Sequence, residues 1–151
     1  VAEVSKNYNC DIVINIQGDE PGIDPDLIDK LIMLFDDPKV EMASVASTDL
    51  DENDFINENV VKVNLDDENN AISFVRNNMN PEQNYYRHIG IYAYRKKTLN
   101  FFTSLDQSEN EKKYSLEQLR ALDNNIAIKL LISDFNHRSI DTKEDLKNYE
   151  N

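Results

Sequence analysis

The sequence predicts an α/β fold with a parallel sheet, and two neighbouring stretches carry that expectation. The first is I-V-I-N-I at 12–16, which opens into the polar turn Q-G-D-E-P at 17–21. A short β-branched run ending in an amide, a glycine and two carboxylates has the pattern of a buried strand whose carboxyl end faces a crevice. The second is 24–36, where Asp24-Pro25 supplies an N-cap and a first-turn proline, and Leu27, Ile28, Leu31, Ile32, Leu34 and Phe35 recur at helical spacing. Strand, crevice and helix in that order make one α/β unit.

The remaining elements are placed by the same signals. Residues 2–8 read as a helix leading into the first strand; with Val1 rather than Met in front of it, the sequence is expected to begin inside a longer protein. Residues 42–47 form the next strand, with small side chains that allow close packing. The β-type runs 60–65 and 71–75 flank D-D-E-N-N, the composition of a hairpin loop. Residues 77–84 are polar and irregular. Residues 87–94 alternate and are aromatic, so they read as a strand, and Gly90 in its middle marks a bulge or a close approach to the backbone. A helix over 97–105 is followed by 106–113 as a charged, solvated exit. Ser115 and Gln118 have capping-box spacing and start a helix through 122. The last strand covers 126–132, and Asp141 or Thr142 caps a final helix to about residue 149. With no repeat or linker, 1–151 is expected to be a single domain.

Composition narrows the function. The 151 residues are long enough for a core, and 29 acidic against 16 basic residues give a net charge of -13. Nucleic-acid binding through a basic surface is excluded, and an anionic substrate needs a cation to offset repulsion. Cys10 is the only cysteine, which rules out an intramolecular disulfide and fits a reducing, cytoplasmic compartment. No apolar run has the ~20 residues of a membrane span. Hydrolase-triad and dinucleotide readings lack their motifs: there is no G-x-S-x-G, Walker loop or G-x-G-x-x-G, and the only histidines are His88 and His137.

Three constellations carry candidate chemistry. The first is Gln17, Gly18, Asp19 and Glu20: Gly18 admits a ligand to the backbone, the Gln17 amide reads a hydrogen-bonding edge, and Asp19 offers hard oxygens suited to magnesium; the same four residues also read as a solvated turn whose carboxylates do nothing. The second is Asp141-Thr142, alone a helix cap, which with Asp19 at a neighbouring strand end could share a metal. The third is Arg76, Arg87, His88, Gly90, Tyr92, Glu117 and Gln118. It offers a guanidinium for a carboxylate and His, Tyr, Glu and Gln for hydroxyls, the mixture that a polyhydroxylated acid wants. Its bland alternatives are strand aromatics at Tyr92 and Tyr94, a surface charge at Arg95 and a capping residue at Gln118.

Five motifs then occur in one order: I-N-I-Q-G-D-E-P at 14–21, N-E-N-V-V-K-V-N-L-D at 57–66, Y-R-H-I-G-I-Y-A-Y-R at 86–95, S-L-E-Q-L-R-A-L at 115–122 and I-D-T-K-E-D-L at 140–146. On these motifs the chain resembles the bacterial CMP-Kdo synthetases, the 3-deoxy-manno-octulosonate (Kdo) cytidylyltransferases, over essentially its whole length. The resemblance implies a nucleotide-diphospho-sugar transferase fold, a three-layer α/β/α sandwich. It implies the reaction of CTP with Kdo to give CMP-Kdo and pyrophosphate for lipopolysaccharide synthesis, Mg2+ as cofactor, and a homodimer. By motif position, Asp19 and Asp141 are the implied catalytic, metal-binding carboxylates. Gln17, Arg76, His88, Tyr92, Glu117 and Gln118 are the implied substrate residues.

Departures are also legible. The family's opening strand and P-A-R-x-x-S-x-R-L-P-x-K-P loop, which hold the triphosphate, have no counterpart in these residues. Asn77-Asn78-Met79-Asn80 replaces the family's alanine, β-branched residue and proline, and Ser139 stands where glycine is common. Two rival expectations follow: a catalytically incomplete binding domain, and a cytidylyltransferase for another acidic sugar such as sialic acid.

Overall fold

A computed structural model describes residues 1–77, 79, 80, 82–134, 140, 143, 146 and 147. In chain order the elements are α1 (Ala2–Ser5), β1 (Ile12–Ile16), α2 (Pro25–Met33), β2 (Met42–Ser47), α3 (Glu52–Ile56), β3 (Lys62–Leu65), β4 (Ala71–Val75), β5 (Tyr86–Arg95), α4 (Lys96–Ser104), α5 (Glu109–Tyr114), α6 (Gln118–Asp123) and β6 (Ile128–Ser133). α2 begins where its sequence dictates: the Asp24 carboxylate accepts from the Asp26 N–H at 3.0 Å, Pro25 opens the first turn, and Leu27 and Leu31 are buried. A 3₁₀ turn at Leu34–Asp36 ends it.

β5 is the strand on which the sheet is built. β2 runs antiparallel along one of its edges, from Met42 opposite Tyr94 to Ser47 opposite Arg87. The other edge is shared: β1 pairs with Arg95 through Ile91, and β3 pairs with Arg87 and Tyr86. Residues 88–90 fall between those two partners, where the ladder thins to a bond from the His88 N–H to the Val61 carbonyl and one from the Gln17 N–H to the Gly90 carbonyl. The hairpin partner β4 continues outward from β3, and β6 lies parallel to β2 on the far side.

This is a mixed sheet, which corrects the expectation of a parallel one. Among the described strands only β2 and β6 pair in parallel. β1 and β2 do run the same way, as a strand–helix–strand unit requires, but β5 lies between them and is antiparallel to both. Strand, turn and helix order sets relative direction without deciding which strand is inserted between.

Helices cover both faces, giving the three-layer α/β/α sandwich. Alternation along β5 divides its side chains: Ile89, Ile91 and Ala93 pack with Leu27, Leu31 and Phe35 from the α2 side, whereas Tyr92 and Tyr94 pack with Leu99, Phe102 and Leu119 from α4 and α6. Each layer therefore receives its own apolar core. Arg95, read from sequence as a surface charge, instead donates to the carbonyls of Val40, Phe35 and Asp37 and lies over the Phe35 ring. It ties the end of β5 to the segment that follows α2.

Two local expectations fail for one reason. The stretch expected to be a solvated exit contains α5, started by a capping box in which Ser108 and Glu111 satisfy each other's backbone N–H groups. Ser115 then ends α5 in the left-handed conformation, φ 55°, and Gln118 begins α6 without capping it. The capping signal belonged to the earlier Ser–Glu pair, whose Glu111 is held inward by Arg120. α3 was not foreseen either; its cap is Asp51 with Asp54. The predicted helix from residue 141 or 142 lies largely outside the described residues.

Candidate active site

The thinned ladder at residues 88–90 borders a crevice because β1 ends beside it. As β1 leaves the sheet, the Gln17 N–H reaches the Gly90 carbonyl at 3.4 Å, and the chain turns so that the Glu20 N–H donates to the Gln17 carbonyl at 3.1 Å. Glu20, 7% exposed, sends its carboxylate back to the Gly90 N–H at 3.1 Å. The turn is thus strapped to β5 from both ends. A Cβ at Gly90 would stand 2.5 Å from Gln17 Oε1 and 3.0 Å from its Cδ. Close approach, not backbone freedom, is what requires glycine here, as no glycine has a positive φ.

Gly90 also belongs to a bulge. Ser44 faces Tyr92, yet the next residue, Val45, faces Ile89, leaving Gly90 and Ile91 of β5 unopposed. The Ser44 hydroxyl fills this break in the ladder, lying 2.7 Å from the Ile91 carbonyl and 2.8 Å from His88 Nε2. Both meanings assigned to a glycine inside a strand hold at this position.

Around the turn lies a cavity of about 370 Å³ lined by Gln17, Asp19, Glu20, 59–61, Arg76, Arg87, His88, Gly90, Tyr92 and 115–118. Of the candidate residues named from the sequence that fall among the described residues, Gln17, Asp19, Glu20, Arg76, Arg87, His88, Gly90, Tyr92, Glu117 and Gln118 are in this wall, and Gly18 is not. Asp141 lies outside the described residues. Its sequence neighbour Ile140 donates its N–H to the Asp19 carbonyl at 2.8 Å.

The two arginines of the wall differ in what their charge does. Arg87 is spent on a buried ion pair with Asp54, their side chains being 8% and 5% exposed, and also donates to the Asp49 carbonyl. It is a structural cation rather than a free ligand for a carboxylate. Arg76 has no carboxylate partner among the described residues; its Nη1 donates to the carbonyls of Glu58 and Asn59 at 2.8 and 3.1 Å. Among the described residues its guanidinium is thus met by backbone dipoles, which suits an anionic ligand. Lys62, fully buried, holds this arrangement from behind by donating to the carbonyls of Asn57 and Arg76 at 2.8 and 2.7 Å. Burial lowers its pKa.

His88 and Tyr92 of the wall belong to a row of aromatics that runs on into the core, Phe74, His88, Tyr92, Tyr94 and Phe102, with successive ring centroids 5.0–6.3 Å apart. Enclosure by Phe74, Tyr92 and Ser44 pushes the His88 pKa down to about 3, although the cavity leaves the residue half-buried overall. Burial raises the Tyr92 hydroxyl's pKa, so it stays protonated and able to donate. Gln118 is 5% exposed, whereas the Glu117 side chain is 68% exposed and approaches Arg120 at 3.4 Å.

Asp19 supplies the hard carboxylate oxygen a divalent cation prefers. No cluster of three or more His, Cys, Asp or Glu side chains occurs among the described residues. Of the two carboxylates that the sequence reading assigns to a metal, Asp19 is the one that falls among the described residues. Sequence reasoning missed Glu20 as a strap, Ser44 in the bulge and Lys62 as a buttress. Of these only Lys62 left a signal, as a charge at an inward position of the alternating V-V-K-V-N-L run. No described helix is long and apolar enough to cross a membrane.

Comparison with known proteins places this site in context. A 3-deoxy-manno-octulosonate cytidylyltransferase of Pelobacter propionicus is 36% identical over 97% of this chain and 64% of its own length. An 8-amino-3,8-dideoxy-manno-octulosonate cytidylyltransferase of Shewanella frigidimarina is 37% identical over 93% of this chain and 60% of its own. The structure of a CMP:2-keto-3-deoxy-manno-octonic acid synthetase complexed with CTP superposes with a TM-score of 0.89 at 31% identity, covering 98% of this chain and 64% of that one. The chain thus spans a little under two thirds of the length of these relatives. Residues 1–130 match the family described as Cytidylyltransferase, and with its mixed sheet, its turn after β1 and its relatives in agreement, the chain belongs to the cytidylyltransferase family.

Proposed function

We propose that this chain forms the sugar-acid side of an enzyme that activates 3-deoxy-manno-octulosonate with CTP, releasing pyrophosphate, in lipopolysaccharide synthesis. The observation that carries this reading is the meeting in one cavity of residues from distant segments, around an arginine that has no carboxylate partner among the described residues. Arg76 receives the sugar carboxylate, while His88, Tyr92, Glu117 and Gln118 take hydroxyls. Gln17, on the turn above Gly90, stands where nucleotide and sugar meet.

In the proposed reaction the anomeric hydroxyl oxygen of the sugar acid forms a bond to the α-phosphorus of CTP, the bond to the β-phosphate oxygen breaks, and the hydroxyl proton is lost. Such transfers depend chiefly on positioning and charge stabilisation. Asp19, with Asp141, would hold Mg2+; the hydrogen bond from the residue preceding Asp141 to the Asp19 carbonyl supports their pairing. When bound, the cation would offset the charge of the polyphosphate and lower the pKa of a coordinated hydroxyl. The neutral His88 and protonated Tyr92 add no charge of their own to the sugar side.

The test is incubation of the full-length gene product with CTP, 3-deoxy-manno-octulosonate and Mg2+ while pyrophosphate is measured; no release would sink the proposal. The Shewanella relative favours a second reading, in which the 8-amino acid is the preferred substrate. Exchanging that acid, and sialic acid, into the same assay decides among them.

A further inference from the structure

The Ser44 hydroxyl has one hydrogen and three polar neighbours: the carbonyl oxygens of Ile91 at 2.7 Å and Ile89 at 3.4 Å, and His88 Nε2 at 2.8 Å. A carbonyl oxygen has no proton to give, so the hydroxyl must donate to the bulge carbonyls. Its lone pair is then what faces Nε2, and a contact of 2.8 Å with a lone pair requires that Nε2 carry the hydrogen. We infer that Ser44 is a positioning residue that locks His88 as its Nε2–H tautomer, so that Nδ1, the ring's other nitrogen, is a hydrogen-bond acceptor that selects a substrate hydroxyl and rejects an anionic oxygen.

Three further features support the assignment. His88 lines the cavity, so a ligand can reach the residue. Its backbone N–H is fixed to the Val61 carbonyl at 2.9 Å, and its ring is set between Phe74 and Tyr92, which limits reorientation. Burial also disfavours the imidazolium form, in which both nitrogens would donate. The division of labour in the wall follows: Arg76 takes the acid group and His88 a hydroxyl, with Ser44, which does not line the cavity, setting the second choice. The two-residue bulge at Gly90-Ile91 is what brings the Ile91 carbonyl to Ser44, so the bulge and the tautomer are one device.

The inference rests on the sugar-acid reading only for what His88 selects; the tautomer can be measured without substrate. In 15N-histidine-labelled protein at pH 7, with a His137→Asn variant assigning the signals, long-range proton–nitrogen spectra should show a protonated Nε2 and an unprotonated Nδ1 for His88. A protonated Nδ1, alone or in an imidazolium, overturns the inference whatever the substrate is. In Ser44→Ala the ring should populate both tautomers. The KM for the sugar acid should then rise as the inverse of the fraction left in the Nε2–H form, about twofold where the two tautomers are equally populated, while the KM for CTP is unchanged. An unchanged sugar-acid KM with altered tautomers overturns the selection. If the unmodified protein turns over no sugar acid, the functional reading fails while the tautomer measurement still decides the role of Ser44.

Discussion

Gly90→Ala separates activity from stability in the wall. The new Cβ would lie 2.5 Å from Gln17 Oε1, 3.0 Å from Gln17 Cδ and 3.4 Å from Glu20 Oε1. To restore a contact of 3.4 Å the amide oxygen must retreat by about 0.9 Å; it can do so because Gln17 is exposed and the atom ends a flexible side chain. Leaving its rotamer costs about 0.5–1.5 kcal/mol. Alanine in place of a strand glycine returns about 0.5–1 kcal/mol by restricting the unfolded chain, and no positive φ opposes it. The two nearly cancel, so the melting temperature should move by no more than about 4 °C. Displacing a substrate-positioning group by nearly 1 Å costs about 10²-fold in rate. Pyrophosphate release by the full-length protein, read beside a thermal melt, should therefore show kcat/KM about 10²-fold lower at nearly unchanged stability. Activity within about threefold of the unmodified enzyme would show that the Gln17 amide is not needed where it stands. A melt lowered by more than about 10 °C would show that the amide cannot yield.

Other perturbations test different parts of the site. Asp54→Ala leaves the Arg87 guanidinium buried without its carboxylate, so urea denaturation should show a loss of about 3–5 kcal/mol; a loss below about 1 kcal/mol would contradict the buried-pair reading. His88 has a folded-state pKa of about 3, below its ordinary 6.5. Its contribution to stability is therefore complete above pH 6.5 and lost as pH falls toward 3, because the unfolded chain takes up the proton first. His88→Gln should flatten that part of the stability–pH curve. Glu111 is held below the usual carboxylate range first by its hydrogen bond with Arg120, so its contribution is present above pH 4.5 and falls away below it. In Glu111→Gln the decline below pH 4.5 should be shallower, measured at low protein concentration because the sequence pI is about 4.4. Asp19→Ala and Asp141→Ala should each abolish turnover with modest effects on folding; near-normal rates would remove that carboxylate from the proposed metal site.

What local sequence determined, it determined through local physics. β1 and β2 occupy the predicted residues because their β-branched or small side chains suit a strand packed on both faces, half-buried along most of β1 and buried throughout β2, and α2 starts at Asp24-Pro25 because the cap and the fixed φ act within one turn. The candidate wall was legible for a related reason: ordered motifs name residue types, and Gln17, Arg76, His88, Tyr92, Glu117 and Gln118 do share one cavity. Local pattern misled between 106 and 118, where two serines had capping partners three residues on and only the burial of Glu111 against Arg120 decided between them. Only tertiary structure decided that β5 enters between β1 and β2, that β1 and β3 share one of its edges with the ladder thinned at 88–90, and that Arg87 is consumed by Asp54 while Arg76 is not. Strand neighbours and charge partners are chosen by contacts between residues far apart in sequence, and no short window of the chain contains both sides of such a contact.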